Sequence, residues 1–496
     1  MTPDAIIVGT GPNGLAAGVT LARAGLRVAL YEAHDTIGGG LRTEPLFDAD
    51  VVHDICSAVH PMAAASPFFT RFDLAAHGVE LRHSEAAYAH PLPGAPTVLA
   101  HRDLDRTCAG LGPVDGPRWR ALMQPLVDRG PQVVDLVLGG PRALPRNPAA
   151  ALWLAPRVLA HGTRRAPRRF AGEPARALLT GVAAHGLGPL PTLTGAGVAL
   201  LLGHLAHRTG WPLPRGGSAR IAAALAADIT AHGGTVHTGQ HITDLRELPP
   251  ARAVLLDVSP KEFLRLAGAR LPSRYRARLA RFRYGTAAAK ADFLLSGPVP
   301  WADPATGAAA TVHLGGTQAE IFREESRTAR GIAGAEPFVL VVDPAAADPD
   351  RARPGKRPLW AYAHVPNGST ADPYELIRRR VERHAPGFTD TILAHRTVTA
   401  AGYEEYNPNY VGGDIGGGAM TLAQTLARPV LRPDPYRTPL PGTYLCSAST
   451  PPGPGVHGMC GHLAARSALR REFDLDPGPT WGTRAADGAP WTRDAY

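Results

Sequence analysis

Residues 5–18 read AIIVGTGPNGLAAG. A β-branched apolar run, Ile6, Ile7 and Val8, stops at Gly9, Gly11 and Gly14, and small residues then open a helix. Each glycine answers a separate need. Gly9 permits a tight turn, Gly11 lets the backbone approach a pyrophosphate, and Gly14 lets the helix pack close to the strand. The helix N-terminus then turns unpaired N–H groups and its positive dipole end towards the phosphates. Such a string is weak alone and gains meaning from its surroundings. A second short strand, RVALYE, follows the helix and ends in Glu32. That is about the 20-residue spacing at which an acid grips a ribose hydroxyl. The pattern predicts a β-α-β dinucleotide-binding start.

The chain has 496 residues, a length for which about three domains is the ordinary expectation. Its 44% hydrophobic content suits a large core. No stretch of ~18 apolar residues predicts a membrane-spanning helix. Gly195 to Leu205 is too short for that and reads as a buried helix. Met1 stands almost directly before the first strand, which predicts no leader peptide and a cytoplasmic protein. Four cysteines (Cys56, Cys108, Cys446, Cys460) form no Cys-x-x-Cys pair. The spacing argues against zinc ribbons, disulfide scaffolds and a redox-active disulfide. Net charge is +9, yet only Lys261, Lys290 and Lys356 are lysines among 52 basic residues. That skew, with abundant Ala, Gly and Pro, reads as coding bias. No zinc-finger, RNA-recognition or helix-turn-helix pattern is present, so no nucleic-acid partner is expected.

Further along, residues 45–210 carry helical patterning and few strand signals. PLPRGGSARIAAALAADITAHGGTVHTGQHITDL (212–245) reads as a Gly-rich entry, a helix from about Ser218 to His232, a Gly-Gly turn and a strand. VLLDVSP (254–260) reads as a strand. AAAKADFLL, ATVHLGG, FVLVVD and LWAYAHV, within 285–365, predict an antiparallel sheet. Residues 373–385 read as a helix with Tyr374, Ile377 and Val381 inward. TYLCSAS (443–449) reads as a last strand leading to a helix. The layout predicts an α/β fold of two interleaved domains: 1–44, 212–262 and 436–473 for the nucleotide, 45–211 and 263–435 for the substrate. Residues 474–496 form a Pro/Gly-rich tail.

At this point the chain resembles the phytoene desaturase / carotenoid oxidoreductase group of FAD enzymes, with a more distant likeness to the amine oxidases. The residues that carry it are GTGPNGLAAG (9–18) with Glu32 and Gly38-Gly39, then PRGGSARIAAAL (214–225) and LPGTYLCSASTPPGPGVHGMCGHLAARSAL (440–469). Gly18 extends the first motif to its longer FAD form. HDICSAVHPMAAASPFF (53–69), GPVPW (297–301) and NPNYVGGDIGGGAM (407–420) are similar to the phytoene dehydrogenase-like branch, which includes the pyridine nucleotide-disulfide oxidoreductase domain-containing proteins. The resemblance implies a Rossmann-type FAD-binding domain interleaved with an α+β substrate domain. It implies FAD contacts from Gly9, Gly11, Pro12, Asn13 and Gly14, from Glu32 and Ala33, and from Gly38, Gly39, Gly40, Leu41 and Arg42. Ile242 resembles the residue whose backbone meets the adenine. Ser449, Gly455, Val456 and His457 would lie by the flavin ring. Gly40 stands where the family carries Arg, and Arg42 comes two residues later. A second Gly-rich fingerprint for a separate NAD(P)H domain is missing.

The candidate chemistry follows from the flavin. Hydride arrives at N5, and negative charge then grows around N1 and C2=O, where a helix N-terminus at Gly453–Gly458 would stabilise it. His457 there is either a donor or base towards the ring, or a loop histidine. Lys290 shares one strand face with Asp292 and Leu294. It either reaches N5 through a water, as a lysine does in amine oxidases, or pairs with Asp292 in solvent. His53 and His60, seven apart, sit in a segment that could cross the flavin face, and no metal site is expected. GGDIGGGAM (412–420) lacks the Lys-Ser/Thr of a phosphate loop and reads as a pocket wall or a turn. LWLAPRVLAHGTRRAPRRF (152–170) is either an interfacial segment touching lipid or an ordinary basic helix that Pro156 and Pro167 break.

These features predict a flavoprotein dehydrogenase or desaturase for an apolar, isoprenoid or polyketide-like substrate, with an electron acceptor the sequence does not name. Three alternatives stand beside it. They are a double-bond isomerase, an amine oxidase with Tyr403, Tyr406 and Tyr410 as an aromatic cage, and an inactive flavoprotein scaffold.

Overall fold

The computed structural model describes residues 2–140, 148–166 and 169–475. Its centre is a five-stranded parallel sheet. Strands β1 (Ala5–Val8), β2 (Val28–Tyr31), β9 (Thr235–His237), β10 (Ala253–Leu256) and β16 (Thr443–Leu445) lie in the order β16-β10-β1-β2-β9. Val8 pairs in register with both Tyr31 and Leu256, and Leu256 with Leu445. The strands therefore end level, and their carboxyl ends deliver Gly9, Glu32, Asp257 and Cys446 to one edge. Ligands of open parallel sheets sit at that edge.

Two helices close against this sheet at glycines. The first helix, Pro12–Arg23, starts at the Gly11 turn. The last, Met459–Glu472, crosses it where a Cβ on Gly461 would stand 1.8 Å from the Asn13 carbonyl oxygen. Backbone meets backbone there, and no side chain fits between. The Ala219–Ala231 helix packs on the other side of the first helix, with Ile229 over Gly18.

A second, seven-stranded sheet runs in the order β15-β11-β14-β13-β12-β6-β7. Its strands are β6 (Ala86–His90), β7 (Val98–His101), β11 (Ala287–Leu295), β12 (Thr311–Leu314), β13 (Val339–Val342), β14 (Arg357–Val365) and β15 (Ile392–Val398). Neighbours are antiparallel except β12 and β6. Hairpin β3 (Thr43–Asp48)–β4 (Val51–Asp54) and the short pair β5 (Leu81–Arg82) and β8 (Leu213–Pro214) complete the sheets.

The antiparallel runs of 285–365 form as expected, and Ile377 and Val381 of the Tyr374–His384 helix are fully buried. Several expectations need correction. The stretch 45–210 is mainly helical, as expected, but it also supplies most of β3 and all of β4 to β7. Ala86–His90 carries no strand signal of its own, yet all five residues are buried in the sheet, where tertiary packing overrides local propensity. Strand β10 stops at Leu256, because Ser259 and Pro260 begin a new helix, Pro260–Ala267. Strand β16 stops at Leu445 for a similar reason, as the Pro-rich turn follows. Ile242 lies in irregular chain beyond β9 rather than in a strand. Pro156 does not break its helix, which runs Pro148–His161 with the proline inside. Arg157 donates to the Trp153 carbonyl at 3.0 Å and lies 3.5 Å over the Trp153 ring, binding the turn where the proline gives no N–H. Leu152 and Leu159 of that helix are exposed. Pro167 and residues 476–496 of the expected tail lie outside the described residues. Among the described residues no helix is long and apolar enough to cross a membrane.

Candidate functional site

A cavity of about 790 Å³ joins the two sheets. One end is lined by Gly9, Gly11, Pro12, Asn13, Glu32, Ala33 and Asp257. The other is lined by Thr311, Leu340, Val342, Trp360 and Tyr362 of the antiparallel sheet, with Leu201, Leu202 and Trp211. Loop residues Ser449, Gly455 and Val456 lie along its wall, as do Gly39, Gly40, Arg42 and Ile242.

The nucleotide end is mostly backbone, and Asp257 organises it. Gly9 has φ +95°, a left-handed conformation that favours glycine, and a Cβ there would meet the Asp257 carbonyl oxygen at 2.9 Å. A Cβ on Gly11 would meet Asp257 Oδ2 at 2.6 Å, and one on Gly14 would meet the Gly9 carbonyl oxygen at 2.1 Å. The Gly14 N–H, at the helix N-terminus, donates to Asp257 Oδ2 at 2.9 Å. One amide expected to face phosphate is thus already taken, and Gly14 itself lies behind the cavity wall. Asp257 is half-buried on that wall. Burial pushes its carboxyl up to about 7, the Gly14 N–H opposes this, and the nearby Glu32 charge adds to it.

Glu32 is held from all sides. Its Oε2 accepts from the Thr10 N–H at 3.0 Å and the Thr10 hydroxyl at 2.5 Å. Its Oε1 accepts from the His34 N–H at 3.0 Å and Arg42 at 3.1 Å. Arg42 also donates to the Thr36 carbonyl and the Tyr406 hydroxyl. It is 2% exposed and is turned to Glu32 rather than outward to a phosphate. Gly38 (φ +112°) shapes the turn that carries Gly39 and Gly40 to the cavity, while Leu41 is buried behind it.

At the other bend of the cavity, His457 does not face the space it was expected to serve. Its Nδ1 accepts from the Met459 N–H at 3.0 Å, so its Nε2–H is the donor to the Gly453 carbonyl at 3.1 Å. Both ring nitrogens are spent on the loop, the side chain is fully buried, and burial lowers its pKa to about 4. The histidine shapes the turn and is no base for a ligand. Ser449 likewise gives its hydroxyl to the Gly417 carbonyl. The 412–420 loop folds around Asp414, whose carboxylate accepts from the N–H groups of Gly285, Gly416 and Gly418. Ile415, Gly416, Gly417 and Met420 of that loop line the cavity.

Lys290 also lies behind the wall. Its ammonium donates to the carbonyls of Asp54 and Ile55 at 2.7 and 3.0 Å and to Asp292 Oδ1 at 2.7 Å. All three N–H bonds are used, and the side chain is 1% exposed, so no solvent-facing pair forms and no proton is free to hold a water. Arg351 donates to Asp54 Oδ2 through both terminal nitrogens at 3.1 Å. Together Lys290 and Arg351 clamp residues 54–55, and that clamp positions the following residues, Cys56 to Met62, along the cavity.

His60 is in that segment. The Ser218 hydroxyl donates to the Ser57 carbonyl, so Ser218 Oγ must accept the His60 Nε2–H at 2.8 Å. The assigned tautomer leaves His60 Nδ1 as a bare acceptor, buried and without a partner among the described residues. His53 is buried against Phe47 and stands apart from His60. Among the described residues no group of three metal-ligating side chains converges. Tyr403 and Tyr410 meet edge-on at 83°, and Tyr406 lies against Arg42, so the three make no facing aromatic cage.

Asp257 and the residues of the sheet end escaped sequence reasoning. Asp257 carried a weak signal, an acid directly after a short apolar strand run, as Gly9 follows Ile6 to Val8. The sheet-end residues carried none, because cross-strand register brings them together.

Residues 7–72 match the NAD(P)-binding Rossmann-like domain family. The chain is 25% identical to pyridine nucleotide-disulfide oxidoreductase domain-containing protein 2 of Mus musculus, over 94% of this chain and 93% of that one. The Rattus norvegicus protein is 26% identical with the same coverage. A solved oxidoreductase from Methanosarcina mazei shares the fold with a TM-score of 0.59 at 14% identity, over 94% of this chain and 100% of that one. A putrescine oxidase variant gives 0.58 at 16% identity, over 94% and 98%. The fold is that of these oxidases. Cyclohexylamine oxidase from Brevibacterium oxydans shares it too, at 0.54 and 15% identity over 96% and 99%.

Proposed function

We propose that this chain is an FAD-dependent oxidoreductase that takes a hydride equivalent from an apolar small molecule. The observation that carries the reading is the continuity of the cavity. The same space touches the glycine turn, Glu32 and Asp257 and the largely apolar face of the antiparallel sheet. A nucleotide at the strand ends would therefore open into a greasy chamber. The names of the curated relatives and of the solved neighbours, oxidoreductases and oxidases, support it. On this reading residues 1–44, 212–262 and 436–473 hold the nucleotide, and 45–211 with 263–435 cover it. The kinship with the phytoene dehydrogenase-like branch and a cytoplasmic location belong to the same reading.

The residues present fit FAD. Gly11 lines the cavity, and a Cβ there would run into Asp257 Oδ2 at 2.6 Å, so only glycine keeps this turn beside the space. Asn13 Oδ1 and His60 Nδ1 line the cavity as buried acceptors without partners among the described residues, and they suit the N–H and O–H groups of a flavin and its ribityl chain. Bound FAD would supply a two-electron acceptor at N5. The chain's own residues place and shield it. The N-terminus of the first helix would hold the pyrophosphate, and the turn fixed by His457 would set Gly455 and Val456 beside the ring. Met62, Trp360 and Leu340 line the chamber and would keep water from the reacting atoms. The four cysteines are free, and the electron acceptor of this reading is a carrier outside the chain. Desaturation and isomerisation differ in the mass of the product, which loses two hydrogens in the first and none in the second.

Purified full-length protein incubated with FAD and freed of excess is the test. Retained flavin absorption, bleached by an apolar reductant substrate, is the expected result. A well-folded chain that stays colourless and refuses FAD overturns the reading.

A further inference from the structure

We propose that the corner between the Glu173–Ala184 helix and β12 is a recognition site for an oxygen function, a carbonyl or hydroxyl, on an otherwise apolar substrate. The inference rests on the reading of the sheet end as the substrate chamber, and it narrows the substrate class.

The sheet register builds the corner. Thr311 pairs with Val342, and Val342 with Trp360. His313 pairs with Leu340, and Leu340 with Tyr362. Two rows thus share one face, and Thr311, Leu340, Val342, Trp360 and Tyr362 line the cavity. Thr311 and His313 are two apart on β12, roughly 6.5 Å along the same face.

His185 closes the corner from the end of its helix, where it also lines the cavity. Its Nε2 lies 2.8 Å from His313 Nε2. One of these nitrogens must carry the hydrogen. His313 Nδ1 is buried without a partner among the described residues. An orphaned lone pair is tolerated better there than an orphaned N–H. The hydrogen between the rings therefore belongs to His313, and His185 is left with an Nδ1–H and no partner for it among the described residues. Burial lowers the His185 pKa to about 3, which keeps the ring neutral. Thr311 Oγ1 and Trp360 Nε1 are also buried and without a partner among the described residues.

All three groups can donate, and Trp360 can do nothing else. A hydrocarbon offers them nothing, and a protonated amine offers only more donors. A carbonyl or hydroxyl oxygen accepts, and can satisfy whichever of them it meets. The wall around them is otherwise apolar: Leu201, Leu202, Trp211, Leu340 and Val342.

The test compares methyl nonyl ketone with its isosteric alkene, in which a CH2 group replaces the oxygen. Affinities are read by equilibrium dialysis on the FAD-saturated full chain. Thr311→Val and His185→Phe should each lower the ketone-to-alkene preference by roughly two- to tenfold while alkene affinity stays level. Thr311→Ser, which keeps the hydroxyl, should keep the preference. An unchanged preference in both Thr311→Val and His185→Phe overturns the oxygen site while leaving the apolar chamber standing. Failure of both ligands to bind the wild-type chain overturns the chamber reading, and the site with it.

Discussion

The nucleotide end of the cavity is built from backbone, and the sheet end from side chains. At the first, Gly9, Gly11 and Gly14 wrap Asp257 so closely that any Cβ would collide. The three glycines are close in sequence as well as in space, and Asp257 comes to them from a distant strand end. At the second, Thr311, Val342 and Trp360 stand in one row from three strands, and Lys290 and Asp292 continue the rows behind the wall. One end tolerates no added atom; the other tolerates no unpaired charge. The two should fail differently when cut.

Lys290→Met should produce the largest effect. It leaves Asp292 buried beside the Asp54 and Ile55 carbonyls without its cation, a loss of about 3–5 kcal/mol. Thermal or denaturant unfolding measures it. The double variant Lys290→Met/Asp292→Leu should recover most of that loss, because it removes both charges together. Flavin reduction and reoxidation, measured per bound flavin, should stay level in the folded single variant. A selective slowing of reoxidation would break the comparison, placing Lys290 in the chemistry rather than behind it.

Gly14→Ala should cost less and act elsewhere. Its Cβ would stand 2.1 Å from a backbone oxygen, so the first helix must shift off the strand. Overpacking of this kind costs about 1–3 kcal/mol. It should also displace the Gly14 N–H from Asp257 and lower FAD affinity at least about tenfold for each 1.4 kcal/mol carried into the binding site. Gly25→Ala is the control: its φ is +86°, but nothing lies within 4 Å, so any strain stays local and flavin affinity should not move.

The same contrast explains what the sequence made legible. Gly9, Gly11, Gly14 and Glu32 lie within one β-α-β unit, and local spacing states their geometry. The runs that became β11 to β14 are short and largely apolar, and they read as strands directly. Ala86–His90 was hidden because alanine speaks for helix and only burial between β12 and β7 makes it a strand. His457 looked like a candidate base because its motif is close to the flavin segment, yet motif position says nothing about where a ring's two nitrogens are spent. Lys290 was visible as an odd lysine in an arginine-rich chain, and its face was readable. Its burial was not, since that depends on residues 54 and 55, more than two hundred positions away. His185 and His313 meet only through the fold.

Asp257 sharpens the comparison with the smallest effect, because its ionisable side chain sits inside the backbone-made end with no cation beside it. Its carboxyl is raised from 3.8 to about 7, so the folded chain holds a proton that the unfolded chain releases. The sign follows by linkage: this contribution to stability is complete below the unfolded value and is lost as pH rises through about 7. The groups facing it are the Glu32 carboxylate, the Gly14 N–H and the thiols Cys446 and Cys460, both of which its charge reaches. None of these supplies a compensating cation. A pyrophosphate brought to the same turn adds negative charge and so favours the protonated acid further. FAD affinity should therefore fall roughly tenfold between about pH 6 and pH 8, one proton being taken up on binding. Asp257→Asn keeps the shape and an acceptor for the Gly14 N–H but cannot ionise, so its affinity should be flat over that range and match the wild type at the acidic end. Titration of FAD against both proteins in two buffers of different ionisation enthalpy measures affinity and proton uptake together. A wild-type affinity that does not change with pH would mean that Asp257 is already charged, and that the glycine turn accepts phosphate beside a carboxylate.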